Sequence, residues 1–247
     1  MSVVDFLVWA AREFGPGEWV FTGFHWPVLA GQLATELRPA DGPVLCYEGG
    51  AATWGVAAAV PTSTTDYPAY ADAIGYRTGT PDMLLAMARR FDRVVLDAGN
   101  VDLRGRVNSS FLGERGWPSV RLPGGGGAPD IAAAARELVW LHGGSDPSRL
   151  QAAVEHVTAA PGPQASVRLH TRWGELRLGA SPALRTIADG PDVERFLARL
   201  TELEVPVDAA VPAAPVTADE RARARDVLAR AAERGYQVAR QALKEPA

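Results

Sequence analysis

Arg93-Val94-Val95-Leu96-Asp97-Ala98 is a short, nearly uninterrupted apolar run, and it decides the fold class. A strand with one wet face alternates apolar and polar residues, whereas a continuous run suits a strand covered on both faces. Glu137-Leu138-Val139-Trp140-Leu141 has the same character. Shorter strands are expected at Glu18-Trp19-Val20-Phe21-Thr22 and from Val44 to Tyr47. Between these runs the apolar period changes from two to three or four. Val3, Phe6, Leu7, Trp9, Ala10 and Phe14 predict an amphipathic helix over 3–14, stopped by Gly15-Pro16-Gly17. Pro27 is placed like the first residue of a helix running to about Leu37, and Met83, Leu84, Met87 and Ala88 predict another over 81–91. Such alternation predicts an α/β protein with an open, mostly parallel sheet and helices on both faces.

The pattern changes after Pro161-Gly162-Pro163. Val167–His170 and Glu175–Leu178 flank Thr171-Arg172-Trp173-Gly174 as a small hairpin. A helix over 193–203 and a Pro/Ala/Val linker over 205–216 follow. Thr217-Ala218-Asp219-Glu220 is a capping box opening a long terminal helix to about Lys244. Val227, Leu228, Ala231, Val238 and Leu243 are its packing residues. Residues 1–160 are read as the α/β core and 161–247 as the completion of the same domain.

Composition removes several function classes. The 247 residues carry a net charge of −4 with no basic stripe, which excludes a general nucleic-acid binder. Cys46 is the single cysteine, so neither a disulfide framework nor a multi-thiolate zinc site is available. His25, His142, His156 and His170 show no metal-ligand spacing, and no metal is expected. Asp5, Arg12 and Glu13 interrupt the N-terminal apolar residues, and no signal-peptide pattern is present. The expectation is a cytoplasmic protein with no membrane contact.

Glu48 is the first candidate for chemistry. It closes a predicted strand at its carboxyl end, where α/β proteins place binding crevices, and Gly49-Gly50 permit close approach. A carboxylate there can act as nucleophile or base; an ordinary turn or surface Glu is the alternative. Pro123-Gly124-Gly125-Gly126-Gly127-Ala128-Pro129-Asp130 is the second candidate, a glycine loop leading into a helix. Its amides suit an oxyanion, or it is a plain linker capped by Asp130. Neither a P-loop nor a dinucleotide fingerprint fits. Asn108, in Asp102–Ser110, is suited to bonding neighbouring backbone. Cys46 shares a strand face with Glu48 and reads as a small buried hydrophobe. His25, Trp26 and Trp54 are candidate pocket walls.

The order of these signals carries more than any one alone. Gly-Glu-Trp-Val-Phe-Thr-Gly-x-x-x-Pro from Gly17, Glu48-Gly-Gly, Val-Asp-x-x-Gly-x-Val-Asn-Ser-Ser from Val101, and Gly-Gly-Gly-Gly-Ala-x-Asp from Gly124 together resemble the β subunit of family I CoA-transferases, glutaconate CoA-transferase type. The resemblance spans residues 3–160. It implies a subunit that works with a homologous α subunit on acyl-CoA and a carboxylic acid, with a CoA thioester as substrate and no permanently bound cofactor. By position, Glu48 matches the nucleophile that forms an acyl-glutamyl anhydride and then a glutamyl-CoA thioester. Gly126, Gly127 and Ala128 match the loop facing the tetrahedral oxyanion. Gly23, Phe24 and His25 match a loop beside the acyl site, with Cys46, Gly49 and Asn108 in the same pocket. The alternative it leaves open is a decarboxylase or hydrolase of an acyl-CoA on the same fold.

Overall fold

The computed structural model describes residues 1–190 and 192–245. The chain falls into two units, one made of Ser2–Asp97 and the chain from Ala214 onward, the other of Met1 and Ala98–Ala213.

The first unit opens with α1 (Val3–Ala11), capped by Ser2, whose hydroxyl accepts the Asp5 N–H at 3.1 Å. The helix stops at Ala11 and turns carry the chain onward, yet Phe14 remains fully buried. Then come β1 (Trp19–Thr22), α2 (Trp26–Leu37), β2 (Val44–Cys46), β3 (Ala51–Thr53), the single-turn α3 (Tyr67–Tyr70), β4 (Ile74–Arg77) and β5 (Arg93–Asp97). β1 pairs in parallel with β2 on one side and β5 on the other. β3 and β4 extend the β2 side antiparallel. Val94, Val95 and Leu96 are buried, as the opening motif requires.

The helix expected over 81–91 does not form. Asp82–Ala86 closes as one widened turn in which the Met87 N–H donates to the Asp82 carbonyl, five residues back, at 2.8 Å. Met83 and Ala88, also five apart, are the residues buried there, while Leu85 is 67% exposed. The apolar spacing was compatible with two turn widths, and packing selects the wider.

The second unit contains β6 (Val101–Asp102), β7 (Phe111–Glu114), β8 (Trp117–Arg121), α4 (Ala128–Ala134), β9 (Glu137–His142), β10 (Leu150–Gln151), β11 (Ser166–Thr171), β12 (Gly174–Leu178), β13 (Ala183–Ile187), α5 (Val193–Glu202) and β14 (Val211–Pro212). β9 and β11 run parallel along six residue pairs. β11 and β12 form the expected hairpin, in the register Leu169↔Leu176. Thr171 fixes its turn by accepting the N–H groups of Trp173 and Gly174, each at 3.1 Å. Trp140, in β9, is fully buried and donates its indole N–H to the Gly105 carbonyl at 3.0 Å.

The chain then returns to the first unit as α6 (Ala218–Glu233) and α7 (Gln237–Ala242). The capping box is present: Thr217 Oγ1 accepts the Glu220 N–H at 3.2 Å and Glu220 Oε2 accepts the Thr217 N–H at 2.8 Å. α6 packs on α1 and α2, with Arg12–Glu220 at 3.0 Å and Arg221–Asp5 at 2.6 Å at the seams. The terminal helix expected to run unbroken to 244 is interrupted at Gly235, which adopts φ +98°. The interruption rotates the inward face: Tyr236, Ala239 and Ala242 are buried, whereas Val238 is half-buried and Leu243 exposed. Among the described residues, no helix is long and apolar enough to cross a membrane.

Candidate active site

Parallel pairing lines up the carboxyl ends of three strands in the first unit. Phe21 lies opposite Cys46, and Thr22 opposite Val95. Three features therefore emerge at one edge: Gly23-Phe24-His25 after β1, the β2–β3 loop after Cys46, and Asp97 at the end of β5. β1 has later strands on both sides, the arrangement that opens a crevice at the carboxyl edge of an α/β sheet.

Glu48 sits in the three-residue loop of the β2–β3 hairpin. The Tyr47 N–H donates to Ala51 at 2.8 Å and the Gly50 N–H to Tyr47 at 2.9 Å, with Gly50 at φ +93°. A left-handed glycine at the third position is the usual solution for such a loop. Gly50 is confined as well as left-handed: a Cβ on it would lie 2.1 Å from the Thr78 carbonyl oxygen. The Thr78 N–H donates to Gly50 at 2.7 Å. On the other side the Gly49 N–H donates to Thr64 at 3.3 Å, and the Tyr67 hydroxyl donates to the Gly49 carbonyl. The two residues after Glu48 are thus clasped by backbone on both sides. Its own carboxylate is half-buried and has no hydrogen-bond or ion-pair partner among the described residues.

An aromatic layer supports the loop from below. Tyr47 is fully buried, stacks on Tyr70 with centroids 4.6 Å apart, and accepts the Gln32 side-chain amide at 3.0 Å. Burial pushes the Tyr47 hydroxyl well above its ordinary pKa, as it does for Tyr70. Both are neutral hydrogen-bonding groups at any physiological pH.

Gly23 has no room for a side chain: a Cβ would lie 2.9 Å from Leu96 Cδ2 and 3.3 Å from its Cα. The next two residues turn outward. Phe24 is 40% exposed and stacks obliquely on Tyr236 of the helix break, with centroids 5.5 Å apart. His25 holds φ +63° and ψ −119°, a conformation natural to glycine and costly for any other residue. Its Nδ1 lies 3.5 Å from Asp97 Oδ2.

Two expected pocket residues are located elsewhere. Trp26 is buried inside α2 and packs edge-on against Phe6, so it belongs to the core. Trp54 lies across Gly75 and Trp19, outside the three-strand edge. Cys46 is completely buried, and burial, with Asp92 adding to it, pushes its thiol far above the ordinary range. Its side chain is enclosed in the core, which fits a small buried hydrophobe and not the pocket position that the resemblance implies.

The glycine loop lies in the second unit. Gly124 and Gly126 adopt φ +95° and +50°, and Gly127 is the N-cap of α4. The Ala128 N–H is used internally, donating to Gly125 at 2.9 Å, and Pro129 has none. The Gly126 and Gly127 N–H groups have no acceptor among the described residues. Asp130 is the third helical residue and makes no capping bond, so the cap expected from it is absent. Asn108 is buried and its amide closes its own loop, donating to Phe111 at 2.7 Å and accepting from Ser110 at 3.1 Å. Ser110 in turn meets Thr158 at 2.7 Å, below the glycine loop. Asp102 is fully buried and accepts from Arg104, Arg106 and Val154, which organises the same segment.

No family model matches the chain. The crystal structure of glutaconate coenzyme A-transferase from Acidaminococcus fermentans superposes with a TM-score of 0.76 over 92% of this chain and 94% of that one, at 18% identity. The fold is that of the CoA-transferases. The decarboxylase AibA/AibB matches with a TM-score of 0.74 over 90% of this chain and 92% of that one, at 24% identity. In sequence, the chain is 35% identical over 134 residues to the β subunit of 3-oxoadipate CoA-transferase from Pseudomonas knackmussii. That match takes in 53% of this chain and 50% of the relative, so the chain spans about half the length of the curated relative it matches. The resemblance to the β-subunit type of family I CoA-transferases, read from the motifs, is supported in both sequence and fold.

Sequence reading missed Asp97, Tyr67, Thr78 and Tyr236. Asp97 was findable, since it ends the opening motif at the same edge as Glu48. Nothing in the sequence signalled the other three, which reach the site through loops and a helix break.

Proposed function

We propose that the chain is the β subunit of a heteromeric CoA-transferase that moves CoA between carboxylic acids, working in the cytoplasm with a homologous α subunit. The observation that carries this reading is the Glu48 carboxylate, unpaired, half-buried and fixed in a clasped hairpin loop at the carboxyl edge of β2. Attack by Glu48 on an acyl-CoA thioester forms the C–O bond of an acyl-glutamyl anhydride and breaks the C–S bond, releasing CoA thiolate. The thiolate attacks the glutamyl carbonyl, expelling the acyl carboxylate and leaving a glutamyl-CoA thioester. The acceptor carboxylate attacks this thioester and the same two steps run in reverse. Every step exchanges bonds of similar energy, which is where covalent catalysis by a carboxylate is effective. Gly126 and Gly127 supply the oxyanion donors in this reading. Ala128, whose N–H is already committed, shapes the loop. Gly23, Phe24 and His25 border the acyl group, and Asn108 fixes its own loop in the second unit. The substrate class in this reading is a glutaconate-like dicarboxylate or related acyl group.

The test is Glu48→Ala, purified with its partner subunit. Transfer activity is expected to disappear, together with the hydroxylamine- and borohydride-sensitive thioester at residue 48 that acyl-CoA generates in the wild-type complex. Full transfer by the variant would overturn the assignment.

A further inference from the structure

The transfer chemistry moves no proton, since a carboxylate nucleophile needs no base and a thiolate leaves unaided. Yet the same edge carries the parts of a proton-transfer pair. His25 Nδ1 faces Asp97 Oδ2 at 3.5 Å, both side chains are partly exposed, and Nε2 has no partner among the described residues. A carboxylate on one ring nitrogen selects the tautomer with its proton there, leaving the other nitrogen as a base. Phe24 lies 4.4 Å from the imidazole centroid and Tyr236 6.3 Å, which limits the directions the ring can face. The backbone at His25 is held in a glycine-type conformation, and strain of that kind persists where surrounding structure enforces it, frequently at functional sites.

We propose that Asp97 and His25 form a general-base dyad that reversibly removes a proton from the carbon next to the thioester of a bound acyl-CoA. That the ligand is an acyl-CoA rests on the function proposed above; the dyad itself rests on the His25–Asp97 geometry. The C–H electron pair becomes the enolate, the proton passes to Nε2, and the imidazolium formed is stabilised by Asp97 through Nδ1–H. Return of a proton from Nε2, after exchange with solvent, regenerates the thioester. No oxidant or co-reactant is consumed. His25 is the catalytic residue and Asp97 a positioning residue.

The experiment incubates the complex of this chain with its partner subunit and glutaryl-CoA in D2O, reading deuterium at the carbon next to the thioester by mass spectrometry, alongside transfer to acetate. Wild type is expected to exchange well above free glutaryl-CoA. His25→Asn should lower exchange about 100-fold, the scale of a lost general base, and by a larger factor than transfer, which loses only a contact of His25 beside the acyl group. Asp97→Asn should lower exchange about tenfold, with part of it restored in Asp97→Glu. Should His25→Asn fold poorly, His25→Gly removes the imidazole from a backbone that suits glycine. Exchange no faster than free thioester in wild type, or exchange and transfer falling by one common factor in the His25 variants, would overturn the dyad. The two readings fail separately. A Glu48 thioester without exchange sinks the dyad alone, and exchange without that thioester sinks the transfer reading alone.

Discussion

Gly50→Ala tests how the loop that presents Glu48 is held. Two costs add at this residue. A left-handed conformation at φ +93° is unfavourable for alanine by about 1–2 kcal/mol. The new methyl would also lie 2.1 Å from the Thr78 oxygen and 2.8 Å from its carbonyl carbon. Those are backbone atoms that cannot rotate aside, and such overlap costs about 1–3 kcal/mol. Reduced freedom of the unfolded chain returns roughly 0.4–1 kcal/mol. The net is about 1–5 kcal/mol, or roughly 2–18 °C of melting temperature for a chain of this size. Gly55→Ala is the control: Gly55 has a similar φ of +87° but nothing within 4 Å of a Cβ, so only the conformational cost applies. Thermal and urea unfolding of both variants separate overlap from strain. Transfer in Gly50→Ala should also fall by about 100-fold, the scale of an ångström-sized displacement of a reacting group. If Gly50→Ala melts with Gly55→Ala, the loop does not rest on Thr78 and the clasp is wrong.

Other expectations follow from burial and charge. Cys46 should resist iodoacetamide in the native protein at pH 8 and react at the free-thiol rate in denaturant; native labelling at the free rate would contradict its burial. Tyr236→Phe leaves the Pro61 carbonyl without its hydroxyl donor and should cost about 1–2 kcal/mol in urea unfolding; a neutral effect would remove that contact from the account of the helix break. Burial by itself raises the Glu220 carboxyl, but the Thr217 N–H, the Arg12 guanidinium and the Thr217 hydroxyl outweigh it and lower its pKa. Its contribution to stability is complete above the ordinary value of 4.5 and is lost as pH falls through the lower folded value. Glu220→Gln should therefore flatten the acid side of a melting-temperature profile below pH 4.5, and an unchanged slope would count against the capping box.

What the sequence disclosed follows the range of the interactions involved. Strands with both faces covered announce themselves in runs such as Val94–Leu96, and the capping box at Thr217 is written in four adjacent residues. The loop that carries Glu48 was legible because a strand end and two glycines are local signals. The break at Gly235 was not, since apolar residues continue with helical spacing beyond it and Tyr236 is drawn by Pro61, 175 residues away. The widened turn at Asp82–Ala86 was hidden because spacings of four and five are both consistent with Met83, Leu84, Met87 and Ala88. His25 could be placed in a turn from its neighbours, but its backbone conformation could not be inferred from residue type, because histidine rarely adopts it.

The return of the chain after Ala214 has a consequence for the order of synthesis. Ser2–Asp97 emerges from the ribosome first, yet the surfaces of α1 and α2 that receive α6 wait while residues 98–213 are made. During that interval, Asp5, Arg12 and Glu36 lack the ionic partners that α6 brings, and Phe24 lacks Tyr236. The unit begun by Ser2–Asp97 is thus completed only by residues beyond Ala214, and a chain stopped before Tyr236 would carry Glu48 on an unfinished scaffold.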